Sequence, residues 1–153
     1  MFDVNLRASF YSKETLLQSL ELANVLKINE EELPVLAEML EIYGEVDVLL
    51  HSLAASHELK TIVFTQGAKG SILLKDGFMV QIPTIKTEVI DTVGAGDSFT
   101  ASIIIGLLKG QDLLRIGSAA SKVAAHVCAH HGATPKLSEE LQAIFAPALT
   151  SEA

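Results

Sequence analysis

Asp91-Thr92-Val93-Gly94-Ala95-Gly96-Asp97 is the stretch on which the fold turns. It closes a polar approach and opens the apolar run from Ser98 to Leu108, so it reads as the start of a helix. The leading N–H groups of a helix lack intrahelical partners and carry the positive end of the macrodipole, which suits a phosphoryl oxygen. Gly94 and Gly96 keep side chains out of that approach, and Ala95 between them is small. Asp97 stands where the turn becomes helix, placed to take a proton from a hydroxyl that attacks a phosphoryl group. A plainer reading makes Asp91, Thr92 and Asp97 ordinary caps and Gly-Ala-Gly an ordinary turn. The run also lacks the Gly-Lys-Ser/Thr ending of a P-loop.

Working outward, Leu113 to His131 forms a second, alanine-rich helix after the one from Gly94 to Lys109, which would be about 24 Å long and apolar almost all round, hence buried. Ser138 to Phe145 is a terminal helix capped by Ser138, and the tail after Pro147 is expected to fray. Upstream, Thr61 to Thr65 is a β-branched strand, and Ser71 to Lys75 with Phe78 to Ile82 makes a hairpin around Asp76-Gly77. Leu33 to Ile42 and Val46 to Ser56 read as helices broken near Gly44. Ser12 to Ala23 is an amphipathic helix with Ser12 as N-cap, and Val25 to Ile28 a short strand, so one βαβ step joins them to the alternating segment Phe2 to Arg7. The pattern predicts an α/β fold, a mainly parallel sheet flanked by helices with an antiparallel hairpin on one side.

The chain of 153 residues is long enough for one core, and hydrophobic residues make up 49% of it. Its mean hydropathy of +0.38 is high, yet no apolar run reaches the roughly 18 residues of a membrane span. Some of that apolar excess is expected to face a partner surface, either a further copy or a separate N-terminal half. The net charge of −8, with eleven scattered Lys and Arg residues, argues against a nucleic-acid surface. Cys128 is the single cysteine, which precludes an internal disulfide and points to a reducing compartment; the expected location is the cytoplasm. His126 and His130 stand four apart, but no carboxylate or cysteine nearby completes a metal site, and His51 and His57 lack partners at metal spacing.

The run Asp91 to Phe99, DTVGAGDSF, closely resembles the DTxGAGD signature of PfkB-type carbohydrate kinases, the ribokinase-like family. Three further segments are similar to motifs of that family. Asp3, Asn5 and Arg7 match a DxNxR sequence, with Val4 where fructokinase-like members often have proline. Asn29 and Glu32 match an NxxE motif, and Thr65, Gly67 and Gly70 match a TxGxxG loop on the nucleotide side. Gly132-Ala133-Thr134-Pro135 resembles the closing GAxP turn.

The resemblance implies ATP and Mg²⁺ as cofactors and a small sugar or sugar acid as substrate, with fructokinase-like features. It makes Asp97 the base, the N–H groups of Gly94, Ala95 and Gly96 an anion hole, and Arg7 a neutralising charge. Thr65, Gly67, Gly70, Asn29 and Gly132 would border the nucleotide, while Asn29 and Glu32 would reach Mg²⁺ through water. As a plainer account of that segment, Asn29 caps a helix whose first-turn acids complement its dipole. A monovalent cation borders the closing turn in many members, which makes Asp91 a candidate ligand. Lys136 falls where some cation-activated members carry serine, so either its ammonium replaces the ion or the site is lost. The resemblance spans residues 1–153 but only the C-terminal, nucleotide-binding and catalytic half of the family. An intact kinase would need the other half; the alternative is a truncated, inactive fragment that binds nucleotide or anion.

Overall fold

The computed structural model describes residues 1–7 and 10–145. The expected frayed tail lies outside the described residues. Twelve elements follow one another: β1 (Phe2–Asp3), α1 (Lys13–Leu22), β2 (Val25–Asn29), α2 (Glu32–Met39), α3 (Val46–Ser56), β3 (Thr61–Thr65), a short 3₁₀ turn (Gly67–Lys69), β4 (Ser71–Lys75), β5 (Phe78–Ile82), α4 (Ala95–Leu108), α5 (Leu113–Cys128) and α6 (Glu139–Ile144). They divide into two compact units, Met1–Thr84 and a second that begins at Ile85.

The first unit is a five-stranded sheet in the order β1-β2-β3-β4-β5. The β1–β2 and β2–β3 pairs are parallel, and the β3–β4 and β4–β5 pairs antiparallel. Register places Leu26, Ile62 and Leu74 in one row and Ile28, Phe64 and Ile72 in the next. Because side chains alternate along strands, both rows share a face. There they pack with Leu16 and Leu20 of α1, Leu33 and Leu36 of α2, and Leu50 and Leu53 of α3. Pro34 falls in the first turn of α2, where its missing N–H costs no helical bond. The β4–β5 turn has φ of 50° at Asp76 and 81° at Gly77, the paired positive values that a two-residue hairpin needs.

One row of the sheet carries a charge. Asp3 and Lys27 are direct partners in the β1–β2 register, and the Lys27 ammonium lies 2.8 and 3.0 Å from the two Asp3 carboxylate oxygens. Lys27 is buried, so pairing offsets a desolvation that would otherwise be costly. The alternating segment expected from Phe2 to Arg7 pairs only at Phe2–Asp3, since Asn5 turns out of the strand with φ of 45°.

In the second unit α4 and α5 form a helical hairpin. They pack closely at Gly106, where an added Cβ would lie 2.6 Å from Cγ1 of Ile116. The expectation that α4 is buried all round fails: Phe99, Ser102, Ile103 and Gly106 are buried, while Ile104 and Ile105 are 37% exposed and Leu108 83%. Apolarity had erased the period that marks a buried face. Asp112 and Ser138 cap α5 and α6 through bonds to Arg115 N and Leu141 N. Cys128 is half-buried. No helix among the described residues is long and apolar enough to cross a membrane.

The register makes a direct test available. Phe64→Ala empties a fully buried core position and should cost about 3 to 5 kcal/mol, whereas Phe78→Ala, at a 76% exposed position, should stay within about 0.5 kcal/mol. Denaturant unfolding of the two variants checks the assignment.

Candidate functional site

In the first unit the three parallel strands end at one edge of the sheet, as parallel strands must, and the motif residues follow those ends. The segment Asn29 to Glu32 is a capping box. Asn29 Oδ1 accepts from the N–H groups of Glu31 and Glu32, both at 2.9 Å, and Glu32 Oε2 accepts from Asn29 N at 3.0 Å. The other Glu32 oxygen accepts from Leu6 N at 3.0 Å. Glu32 therefore ties the exit of β1 to the start of α2 while only 6% exposed. Glu30 N donates to Thr65 O at 3.0 Å, and the Glu30 carboxylate pairs with Lys69 at 3.2 Å on the exposed 3₁₀ turn. Thr65, Gly67 and Gly70 thus belong to a loop fastened to the capping box. Arg7 is exposed, with Nε 3.4 Å from Asn5 Oδ1.

No group of three or more His, Cys, Asp or Glu residues suited to a metal occurs among the described residues. Mg²⁺ usually keeps several waters and binds through one or two carboxylates and phosphates, so a full protein cage is not what it requires. Asn29 Oδ1 and both Glu32 oxygens already accept backbone bonds. The donor set fits an ion reached through water, not one ligated directly.

In the second unit, Gly94 precedes the first turn of α4 with φ of 80°. A Cβ there would lie 2.5 Å from Ala133 O and 2.7 Å from Ala133 Cα, so glycine is required by the fold itself. Gly96 is different. It has no positive φ, and an added Cβ would meet nothing within 4 Å. Neither packing nor backbone angle demands glycine at this position. Ala95 N donates to Thr92 O at 3.2 Å, while among the described residues no protein acceptor holds the N–H groups of Gly94, Gly96 or Asp97. The open donors are therefore those of 94, 96 and 97, and Ala95 contributes its small size rather than its N–H. Asp97 is the exposed acid of the first turn of α4, and among the described residues its carboxylate accepts no cap bond.

Asp91 accepts from Val93 N through Oδ1 and from Gly132 N through Oδ2, each at 3.0 Å. Those two bonds, the Val93 bond foremost, hold its pKa below the ordinary value. Each Asp91 oxygen accepts one N–H, which leaves each a second lone pair that a cation could use. His126 Nε2 lies 3.0 Å from Lys136 O, and His130 Nδ1 2.7 Å from His126 O. The side chain of Lys136 makes no ion pair among the described residues. Beyond Asp97, a mostly apolar cavity of about 410 Å³ opens within this unit, lined by Ser98, Ala101, Ile105, Val123, Val127 and Pro135 among others. Its size suits a small ligand. Pro135 belongs to the GAxP-like turn that the resemblance places beside the nucleotide, while for the walls from α4 and α5 the small side chains are the available sequence signal.

A mixed sheet with motif residues at the ends of its parallel strands, joined in sequence to a glycine-lined helix start, is the arrangement of a ribokinase-like α/β fold. The family model for pfkB family carbohydrate kinases matches residues 1–140, and the chain belongs to that family. It is 34% identical over 128 residues to a nucleoside kinase of Methanocaldococcus jannaschii, covering 83% of this chain and 40% of that one. To a fructokinase of Escherichia coli it is 31% identical over 111 residues, 69% of this chain and 35% of that one. A solved Burkholderia thailandensis nucleoside kinase in complex with ADP-inosine superposes with a TM-score of 0.75 at 26% identity, covering 88% of this chain and 41% of that one. The chain spans less than half the length of the curated relatives it matches.

The two glycines of the turn should separate experimentally. Gly94→Ala meets the Ala133 backbone and a left-handed φ, and should lose at least about 1 to 2 kcal/mol of stability. Gly96→Ala should be neutral or gain up to about 1 kcal/mol from helix propensity. Acid titration adds a check on Asp91. Its folded pKa is lowered, so its stabilisation is complete above the ordinary value of 3.8 and lost as pH falls through the lower folded value. Asp91→Asn should lack that acid-dependent component in pH-dependent melting.

Proposed function

We propose that this chain is the nucleotide-binding and catalytic part of an ATP-dependent kinase that phosphorylates a hydroxyl of a sugar or sugar acid. It would act with an N-terminal portion of the kind that its longer relatives carry, in the same chain or as a separate one. The observation that carries the reading is Gly96: a glycine the fold does not need, beside open N–H donors and an uncommitted carboxylate at Asp97. Space kept clear at a helix start is what a phosphoryl group requires.

On this reading Asp97 takes the proton of the acceptor hydroxyl as its oxygen attacks the γ-phosphorus. The bond to the bridging oxygen breaks, and ADP departs. The N–H groups of Gly94, Gly96 and Asp97 stabilise charge on the transferring group. Arg7 neutralises charge at the phosphates or the sugar. The loop of Thr65, Gly67 and Gly70, with Gly132, borders the nucleotide, whose base the apolar cavity would receive. Mg²⁺, bound on the phosphates, would screen their charge, with Asn29 and Glu32 ordering its waters. Lys136 falls where some cation-activated members of the family carry serine, so potassium should not activate the enzyme, and Lys136→Ser should create a response if the ammonium replaces the ion.

A second reading, an inactive fragment that still binds nucleotide, is favoured by the chain's coverage of less than half of its relatives. ATP turnover with a panel of sugars, sugar acids and nucleosides distinguishes the two. In the chain joined to a compatible N-terminal half, Asp97→Asn should lower kcat by about 10² to 10⁴, roughly 2.7 to 5.4 kcal/mol of barrier. Nucleotide affinity should hardly change, because the anion hole is made of backbone groups. Gly96→Val should do the reverse and weaken nucleotide binding first. Turnover of Asp97→Asn within about tenfold of the parent would exclude general-base catalysis by this carboxylate.

A further inference from the structure

We propose that Asp91 is a positioning residue, whose carboxylate clasps the approach to the anion-binding turn onto the loop at Gly132 and so sets the direction of the open N–H donors. The proposal rests on the phosphate-binding reading given above and concerns the part of it that residues 94–97 alone do not explain.

One peptide plane lies at the centre of this contact. The unit joining Thr92 to Val93 carries the Thr92 carbonyl on one side and the Val93 N–H on the other. Asp91 Oδ1 holds the N–H at 3.0 Å, and Ala95 N–H holds the carbonyl at 3.2 Å. Both ends of the plane are fixed. Ala95 N–H is thereby turned back into the loop, and the N–H groups of Gly96 and Asp97 are the next to emerge without a partner. Were the plane free to rotate about Asp91, the first turn of α4 would lose its fixed starting direction.

The second carboxylate oxygen reaches Gly132 N, 41 residues away in sequence, at 3.0 Å. Two further contacts run along the same line. Ile90 N and Asp91 N both donate to Cys128 O, at 2.8 and 3.2 Å, and Gly94 lies against Ala133 closely enough to exclude a side chain. Residues 90–94 thus lie along residues 128–133 and are held at both ends and in the middle. The middle point is a carboxylate, and charge-assisted bonds are stronger than neutral ones. The depressed pKa of Asp91 agrees with a carboxylate used in this way.

The test uses the 153-residue chain in its ligand-free and nucleotide-bound forms. In Asp91→Asn one acceptor survives, while the amide NH₂ opposes the second donor. Amide exchange at Val93, Ala95 and Gly132 should accelerate about tenfold or more, and ADP affinity should fall by about tenfold, with adenosine affinity within about twofold of the parent. Equal losses for ADP and adenosine would reduce Asp91 to general structural support and overturn the proposal, as would unchanged exchange at Ala95. If Asp91→Asn does not fold, Asp91→Glu keeps the charge but displaces it and is judged by the same ADP-to-adenosine split. If the parent chain binds neither ligand, the nucleotide reading fails. The clasp is then decided by exchange at Ala95, where faster exchange upholds it and parental exchange overturns it.

Discussion

A nearly buried carboxylate, that of Glu32, is the constraint on which the first unit depends. A charge so placed is tolerated only when hydrogen bonds replace its water, and the backbone supplies them: Asn29 N closes the capping box and Leu6 N arrives from the exit of β1. The side chain thereby fixes where the chain leaves one strand and where it enters the next helix. From Asn29 the connection continues through Glu30 N to Thr65 O at the end of β3. Three strand ends, each bearing a family motif, are joined by bonds to backbone in addition to the packing of Val4, Ile28 and Phe64 in the core.

The second unit solves a different problem. A helix start that receives an anion has to be open at the donors yet rigid behind them. Openness comes from Gly96 and rigidity from Gly94, whose missing side chain lets the turn lie on Ala133. Similar-looking glycines two residues apart hence serve opposite ends, one through the space it leaves and the other through the contact it permits. Farther along, Gly106 brings α4 against Ile116 of α5.

Local signals were the legible ones. The hairpin at Asp76-Gly77 fell at its predicted residues, as did the caps at Ser12 and Ser138, because each depends on neighbours within a few positions. Family motifs located the candidate site and the family itself. What escaped was contact at long range: Glu32 with Leu6, and Asp91 with Gly132, join residues 26 and 41 apart, and periodicity carries no information about such pairs. The N–H of Ala95 was assigned to the anion hole because sequence does not reveal a turn bond to Thr92. The extent of α4's exposed side was hidden for another reason, since a helix apolar on every side gives no phase from which to choose the inner one.

The ion pair between Lys27 and Asp3 leaves a mark on how this sheet can vary. Lysine is an unexpected residue in the middle of a parallel strand, and its ammonium depends on the acid of the adjacent strand. Loss of Asp3 alone would strand a buried charge, whereas joint replacement by apolar residues would remove the charge together with its partner. Positions 3 and 27 are therefore linked in what they tolerate: either can lose its charge at low cost only when the other loses its charge as well.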